Sequence, residues 1–378
     1  MIEFETIIKQ NKNLGDYKLL TPGPLTTTNT VKNEMLFDRC TWDDDYKKIT
    51  QKIRKQLLQV ATVSEENYTA VLIQGSGSFG VEAVLSTVIS NKDKCLIISN
   101  GAYGERIVEM AKRGKINYEL YSCEYDTIPN FNEIRRILKD DEYEFITHIV
   151  MVHCETTTGI LNPIEEIAKV AKEYGKTLIV DAMSSFGGIE IDVKGLGIDY
   201  LVSSANKCIQ GVPGFSFVIA DKTKLSRCKE NSRSLCLDLY EQWITMEKDG
   251  KWRYTSPTHV VAAFSKALDE LFEEGGVRSR YIRYSENNRL LREKLKDIGI
   301  FSYIKEEFQS PIITTFVFPY DNFNFNEFYN YVKDRGFVLY PGKLTDVDTF
   351  RIGNIGEIYE EDIHILCDVI KSYVMGRK

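Results

Sequence analysis

Two residues able to do chemistry stand 26 positions apart, each just beyond a short apolar run: Asp181 closes Thr177-Leu178-Ile179-Val180, and Lys207 follows Tyr200–Ser203. If both runs are parallel strands, both residues sit at carboxyl ends, the rim where open α/β sheets bind ligands. Lys207 is flanked by Ala205, Asn206 and Cys208 rather than by acids, which leaves its amine free to lose a proton and act as a nucleophile. Earlier in the chain, Gln74-Gly75-Ser76-Gly77-Ser78-Phe79-Gly80 follows the apolar Val71–Ile73 and leads into the helical Val81–Leu85. Such a loop lets backbone N–H groups at a helix start approach a phosphate, with the Ser76 and Ser78 hydroxyls at hand. As a dinucleotide fingerprint it would need an acid at the end of the next strand, and Ser99 and Asn100 stand there instead. A phosphate is therefore expected on this loop, and NAD is disfavoured. Taken singly, each feature has a plainer reading as a solvated side chain or a glycine turn. Together, a phosphate cradle, a carboxylate for a ring nitrogen and an amine nucleophile are what pyridoxal 5'-phosphate requires.

The elements that must position these residues follow a βαβ rhythm from about Val71 onward, which predicts an α/β fold with a mostly parallel sheet. Lys94–Ser99, Thr147–His153, Thr177–Asp181, Tyr200–Ser203 and Phe215–Ala220 read as strands, several apolar at nearly every position, as strands covered on both faces are. Between the second and third, Asn162 is expected to cap a helix, with Pro163 at its first position and Glu165 completing a capping box; Ile164, Ile167, Ala168 and Ala171 form its apolar face. Beyond about Gly275 the pattern changes. A charged helix over Arg278–Asp297, a strand over Pro311–Phe318, a helix over Phe325–Arg335, short segments at Phe337–Tyr340 and Thr349–Ile352, and a closing helix over Glu360–Val374 predict a smaller α+β domain. The expected division is a large domain over 25–270 and a small one over 271–378, joined by an N-terminal segment 1–24.

With 378 residues, 43% hydrophobic and 27% charged, the chain can bury a core without disulfides or metals. Its formal net charge of −7 and the lack of a basic stripe argue against nucleic acid as a partner. Eight scattered cysteines without a C-x-x-C pair, and only four histidines, predict reduced thiols and no metal site. The acidic opening Met1–Glu5 is unlike a secretory leader, and no apolar run reaches the ~18 residues of a membrane span, so a cytoplasmic location is expected.

At these residues the sequence resembles the class V aminotransferases of fold-type I. The resemblance runs from Leu20-Thr21-Pro22-Gly23-Pro24 to Phe350–Gly356 and includes Cys40–Asp45, the glycine loop, Asn100–Arg106, His153–Gly159, Ser204–Phe215 and Thr255–His259. It implies a large domain with a seven-stranded type of sheet and a small C-terminal domain. It implies Lys207 as the Schiff-base lysine, Asp181 as the partner of the ring nitrogen, and Ser76, Gly77 and Ser78 as the phosphate cup. Tyr103 would stack on the ring, Thr156 would touch its phenolic side, and Asn206 would help near the phosphate. Thr255 would reach the cofactor phosphate of the other subunit of a homodimer with its site at the interface, and Arg351 would receive the substrate acid. The resemblance is nearest to members that move the amino group of 2-aminoethylphosphonate to pyruvate, giving phosphonoacetaldehyde and L-alanine. The alternative is an alanine:glyoxylate or serine:pyruvate type of the same class, which would share every cofactor residue. Arg39 departs from the pattern, where an aromatic is expected. The acidic Asp43–Asp45 would repel an anionic substrate if it faced the site, so it is expected to cap a helix or pair with basic groups.

Overall fold

The computed structural model describes residues 17–140, 145–342, 344 and 347–376; the Met1–Glu5 opening lies outside them. The strands of its central sheet are β1 (Tyr68–Gln74), β2 (Lys94–Ser99), β3 (Asn117–Ser122), β4 (Ile146–Val152), β5 (Thr177–Asp181), β6 (Tyr200–Ser204) and β7 (Phe215–Asp221). Their spatial order is β1-β7-β6-β5-β4-β2-β3. β7 runs antiparallel to both its neighbours, and every other pair is parallel. The inner strands are buried along their length, which is why their sequences are apolar without alternation. Helices cover the sheet, among them α1 (Asp44–Val60), α2 (Gly77–Val88), α3 (Ala102–Arg113), α4 (Ile164–Glu173) and α5 (Thr258–Glu273).

The long α6 (Gly276–Lys296) leads to a second layer, in which β8 (Ile313–Val317), β9 (Tyr340–Pro341) and β10 (Thr349–Gly353) form an antiparallel sheet ordered β8-β10-β9. α7 (Phe325–Lys333) and α8 (Glu360–Met375) pack on it around Phe316, Phe328 and Phe350, all at most 1% exposed. This apolar cluster is distinct from the one around the large sheet, and a third small group that includes Leu25, Cys154, Cys208 and Tyr284 lies apart from both. The N-terminal strap belongs to the second layer: Lys18–Leu19 pairs with Phe337–Val338, Lys18 reaches Asp362, and Gly353 N–H donates to the Leu20 carbonyl.

Strands and helices stand where the sequence places them, with ends moved by one to three residues. The acidic run is accounted for as expected: Asp43 caps α1 by accepting from Asp45 N–H, while Asp44 and Asp45 pair with Lys47 and Lys48. One detail is corrected. Asn162 does not cap α4: the helix begins at Ile164, so Pro163 stands at the cap rather than at the first position, and with no side-chain cap there Glu165 completes no capping box. The Asn162 amide is instead exchanged with that of Asn100 (2.8 and 3.0 Å) and donates to the Val152 carbonyl, fastening the ends of β2 and β4 together. A buried amide with three such bonds outbids a helix cap because each group it satisfies would otherwise be dry and unpaired. Replacing Asn162 by Ala is therefore expected to cost about 1–3 kcal/mol in urea denaturation, more than the loss of an ordinary cap.

Candidate active site

The carboxyl ends of β1, β5 and β6 meet around one cavity of about 210 Å³. Ser76, Gly77 and Ser78 form one wall, Tyr103 and Arg106 of α3 another, and Asp181, Met183, Ser204, Asn206 and Lys207 the floor. The glycine loop is built for close approach. Gly75 has φ +113°, a conformation only glycine adopts freely, and its N–H donates to the Gly214 carbonyl. A Cβ on Gly77 would stand 2.2 Å from Met183 Sδ, and one on Gly80 would strike Ser216 Oγ at 2.7 Å, so the loop can sit here only without side chains. Ser76 makes no side-chain cap to α2; Phe79 N–H turns back to the Ser76 carbonyl (2.9 Å), and Gly77 and Ser78 bring the helix start, a ready anion site, to the cavity.

Asp181 is 8% exposed and accepts from Met183 N–H at 2.9 Å. Burial pushes its carboxyl up to about 6, partly offset by that hydrogen bond and by the positive charges of Lys207 and Arg106. An aspartate so placed gains most from a cation set before it. Lys207 keeps part of its side chain open to the cavity, yet desolvation of the amine lowers its proton affinity, which favours the nucleophilic form. Its Nζ donates to the Pro22 carbonyl at 2.6 Å. Beside that contact, a Cβ on Gly23 would meet the Asn206 carbonyl at 2.7 Å, so the Pro22-Gly23 turn lies directly on the lysine loop. Asn206 Oδ1 accepts from Ser204 Oγ at 2.6 Å, fixing the residue before the lysine.

Seven of the residues expected from sequence thus share one cavity: Ser76, Gly77, Ser78, Tyr103, Asp181, Asn206 and Lys207. Thr156 and Arg351 stand outside its lining but are joined to each other, since Arg351 Nη1 donates to the Thr156 carbonyl at 2.9 Å. Arg351 is 2% exposed; its Nε donates to the Pro341 carbonyl, and its guanidinium lies 5.6 Å from the Tyr340 ring centre. Tyr103 also interacts with its guanidinium. Thr255 is exposed and away from the cavity of its own chain. Sequence reasoning left Pro22, Gly23, Arg106, Met183 and Glu155 without roles. Four of them lie in quoted motifs, so the signal was present, but only the folded chain shows what each touches. Arg106 lies 4.9 Å over the Tyr103 ring and donates to Ser78 Oγ at 3.3 Å.

A seven-stranded sheet with a lysine, an aspartate and a helix-end anion site on one rim defines the fold-type I architecture. Residues 40–346 match the family described as Aminotransferase class-V, and the chain belongs to that family. The 2-aminoethylphosphonate--pyruvate transaminase of Lysinibacillus sphaericus (strain C3-41) is 64% identical over 362 residues, covering 96% of this chain and 98% of that protein. The protein of the same name from Bacillus mycoides (strain KBAB4) is 57% identical, covering 96% of this chain and all of its own length, 100%. In fold, the chain matches an alanine--glyoxylate aminotransferase from Nostoc sp. with a TM-score of 0.86 at 23% identity, over 96% of each chain.

The Asp181 environment carries a signed expectation for the ligand-free protein. Its folded-state affinity for a proton exceeds that of the unfolded chain, so the stability it confers is present below pH 3.8 and is lost as the pH rises towards 6. Asp181→Asn keeps an acceptor for Met183 N–H without the charge. In urea denaturation the variant is expected to gain on the parent by about 1–3 kcal/mol between pH 4 and pH 8.

Proposed function

We propose that this chain binds pyridoxal phosphate in the cavity at Lys207 and uses it to transfer the amino group of 2-aminoethylphosphonate to pyruvate, giving phosphonoacetaldehyde and L-alanine. The observation that carries the reading is the convergence of Asp181, Lys207 and the open α2 N-terminus on one cavity, in a chain 64% identical to a relative of that name. The residues fit the group: the start of α2 offers an anion site without a side-chain cap, and a buried carboxylate and a desolvated amine line the same cavity.

When bound, pyridoxal phosphate supplies an aldehyde that takes up amino groups and a ring that accepts the electron pair of a broken C–H bond. The first turn of α2, with Ser76, Gly77 and Ser78, holds the phosphate, with Asn206 near it. Asp181 would face the ring nitrogen and favour its protonated form, and that cation would in turn favour the ionised carboxylate. Tyr103 would cover the ring, and Thr156 would lie toward its phenolic side. Lys207 would hold the cofactor through its amine, and as a free base it would move the proton at the carbon bearing the substrate amine. Arg351 receives the phosphonate in one half-reaction and the pyruvate carboxylate in the other, because a planar guanidinium suits both oxyanions.

The same reading assigns residues 25–270 to the cofactor-binding domain and 271–378 to the smaller one, supported by their separate apolar clusters. It also makes the protein a homodimer, with Thr255 reaching the phosphate bound by the other copy. Support comes from the exposed Leu36 (75%), Phe37 (60%), Trp42 (70%), Phe79 (50%) and Tyr254 (49%), an unusual amount of apolar side chain for a free surface. Among the described residues, no helix is long and apolar enough to cross a membrane.

Absorbance spectroscopy tests the chemistry. The protein loaded with pyridoxal phosphate is expected to lose its yellow band on addition of 2-aminoethylphosphonate alone and to regain it with pyruvate. Lys207→Ala is expected to lower turnover by at least roughly 10³-fold. Bleaching by L-alanine but not by 2-aminoethylphosphonate would redirect the reading to an alanine-specific member of the family. Light scattering that returns a monomer would remove the role given to Thr255.

A further inference from the structure

Glu155 has no part in the mechanism above, yet it is 0% exposed and lies against the two groups on which binding depends. Its Oε2 accepts from the N–H groups of Tyr103 (3.0 Å) and Gly104 (3.3 Å), the first turn of α3. Its Oε1 accepts from Thr157 N–H (3.0 Å) and Thr157 Oγ1 (2.5 Å). The same Thr157 Oγ1 accepts from Ala102 N–H at 3.1 Å, so its proton is committed to the carboxylate. Two donors on each oxygen favour the carboxylate form, against the burial that raises its proton affinity. Among the described residues it forms no ion pair with a lysine or arginine; its compensation is the positive end of α3 and four hydrogen bonds. Gly101 has no room to be anything else, because a Cβ there would stand 2.3 Å from Glu155 Cγ. One residue on, the Thr156 carbonyl takes the Arg351 guanidinium.

We propose that Glu155 is a positioning residue: through the tripeptide Glu155-Thr156-Thr157 it locks the Tyr103 ring and the Arg351 fork into one rigid relation, so that the surface covering the cofactor and the cation receiving the substrate acid move as a unit. The inference rests on the function proposed above. A carboxylate is required and an amide cannot replace it, since whichever way a glutamine is turned, its NH2 faces two donors and displaces either Tyr103 or Thr157.

The test is Glu155→Gln in the full chain, with Thr157→Val as a second variant that removes one carboxylate partner and the acceptor for Ala102 N–H. Three readouts are taken. In cofactor-free protein, hydrogen exchange at the Tyr103 and Gly104 amides is expected to accelerate in Glu155→Gln. In protein loaded with pyridoxal phosphate, the visible circular dichroism of the cofactor is expected to weaken, because the ring loses its fixed neighbour. In turnover, KM for both 2-aminoethylphosphonate and pyruvate is expected to rise roughly tenfold or more, with a smaller change in kcat. Thr157→Val shifts each readout in the same direction and carries the test if Glu155→Gln does not fold. Parent-like exchange, dichroism and KM accompanied only by a lower melting temperature would overturn the proposal and leave Glu155 a structural cap. A parent protein that takes up no pyridoxal phosphate would defeat the proposed function instead, and the exchange arm would still decide the role of Glu155.

Discussion

The site depends on one constraint: an amine and a carboxylate must share a small cavity without neutralising each other. Water would let Lys207 stay protonated and Asp181 stay ionised, and two such charges would simply pair. The fold prevents this by placing them on the ends of adjacent parallel strands, β6 and β5, each with its own partner. Asp181 is held by a backbone N–H and Lys207 by the Pro22 carbonyl, so neither needs the other. Burial then works on the two groups in opposite senses, lowering the proton affinity of the amine and raising that of the acid. The result is a pair nearer to neutral than free lysine and aspartate, and a cation set before Asp181 would favour its ionised form.

Much of this was legible before the structure. Strands buried on both faces announce themselves as unbroken apolar runs, and their carboxyl ends mark the functional rim, so Asp181, Lys207 and the glycine loop could be placed from pattern and topology alone. Tyr103, Thr156 and Arg351 were reached only through resemblance. Arg351 shows why: it lies between Phe350 and Ile352 on a strand of the small sheet, and nothing local says that its partner is a carbonyl 195 residues away. Asn162 shows the opposite failure. Its local context is that of a helix cap, and the fold overrides it with a buried amide exchange that no sequence window contains.

The small sheet does more than supply an arginine. β10 carries Arg351 into contact with the Thr156 segment that follows β4, and Thr315 of β8 donates to the Thr157 carbonyl close by. Arg280 and Arg283 of α6 converge on Glu274, while Arg283 also holds the Gly356 and Ile358 carbonyls and Arg280 the Cys208 carbonyl, one residue past the lysine. Buried arginines satisfied by carbonyls at several places are expensive to desolvate and hard to rearrange. They make the junction between the two layers stiff where the reaction needs fixed geometry, and leave the exposed faces of α6 and α8 free to vary.

The strap over Lys207 sets the order in which the molecule can be completed. Pro22 is among the first described residues of the chain, yet the segment that bears it is anchored by Val338, Gly353, Glu357 and Asp362. A chain emerging from the ribosome amino end first must hold this strap without these anchors until the Gly336 and Val338 carbonyls have been made. The large sheet can form earlier, with its lysine uncovered. Closure of the site is thus a late event of synthesis, and a polypeptide truncated before Gly336 would present the reactive amine without these anchors for its cover.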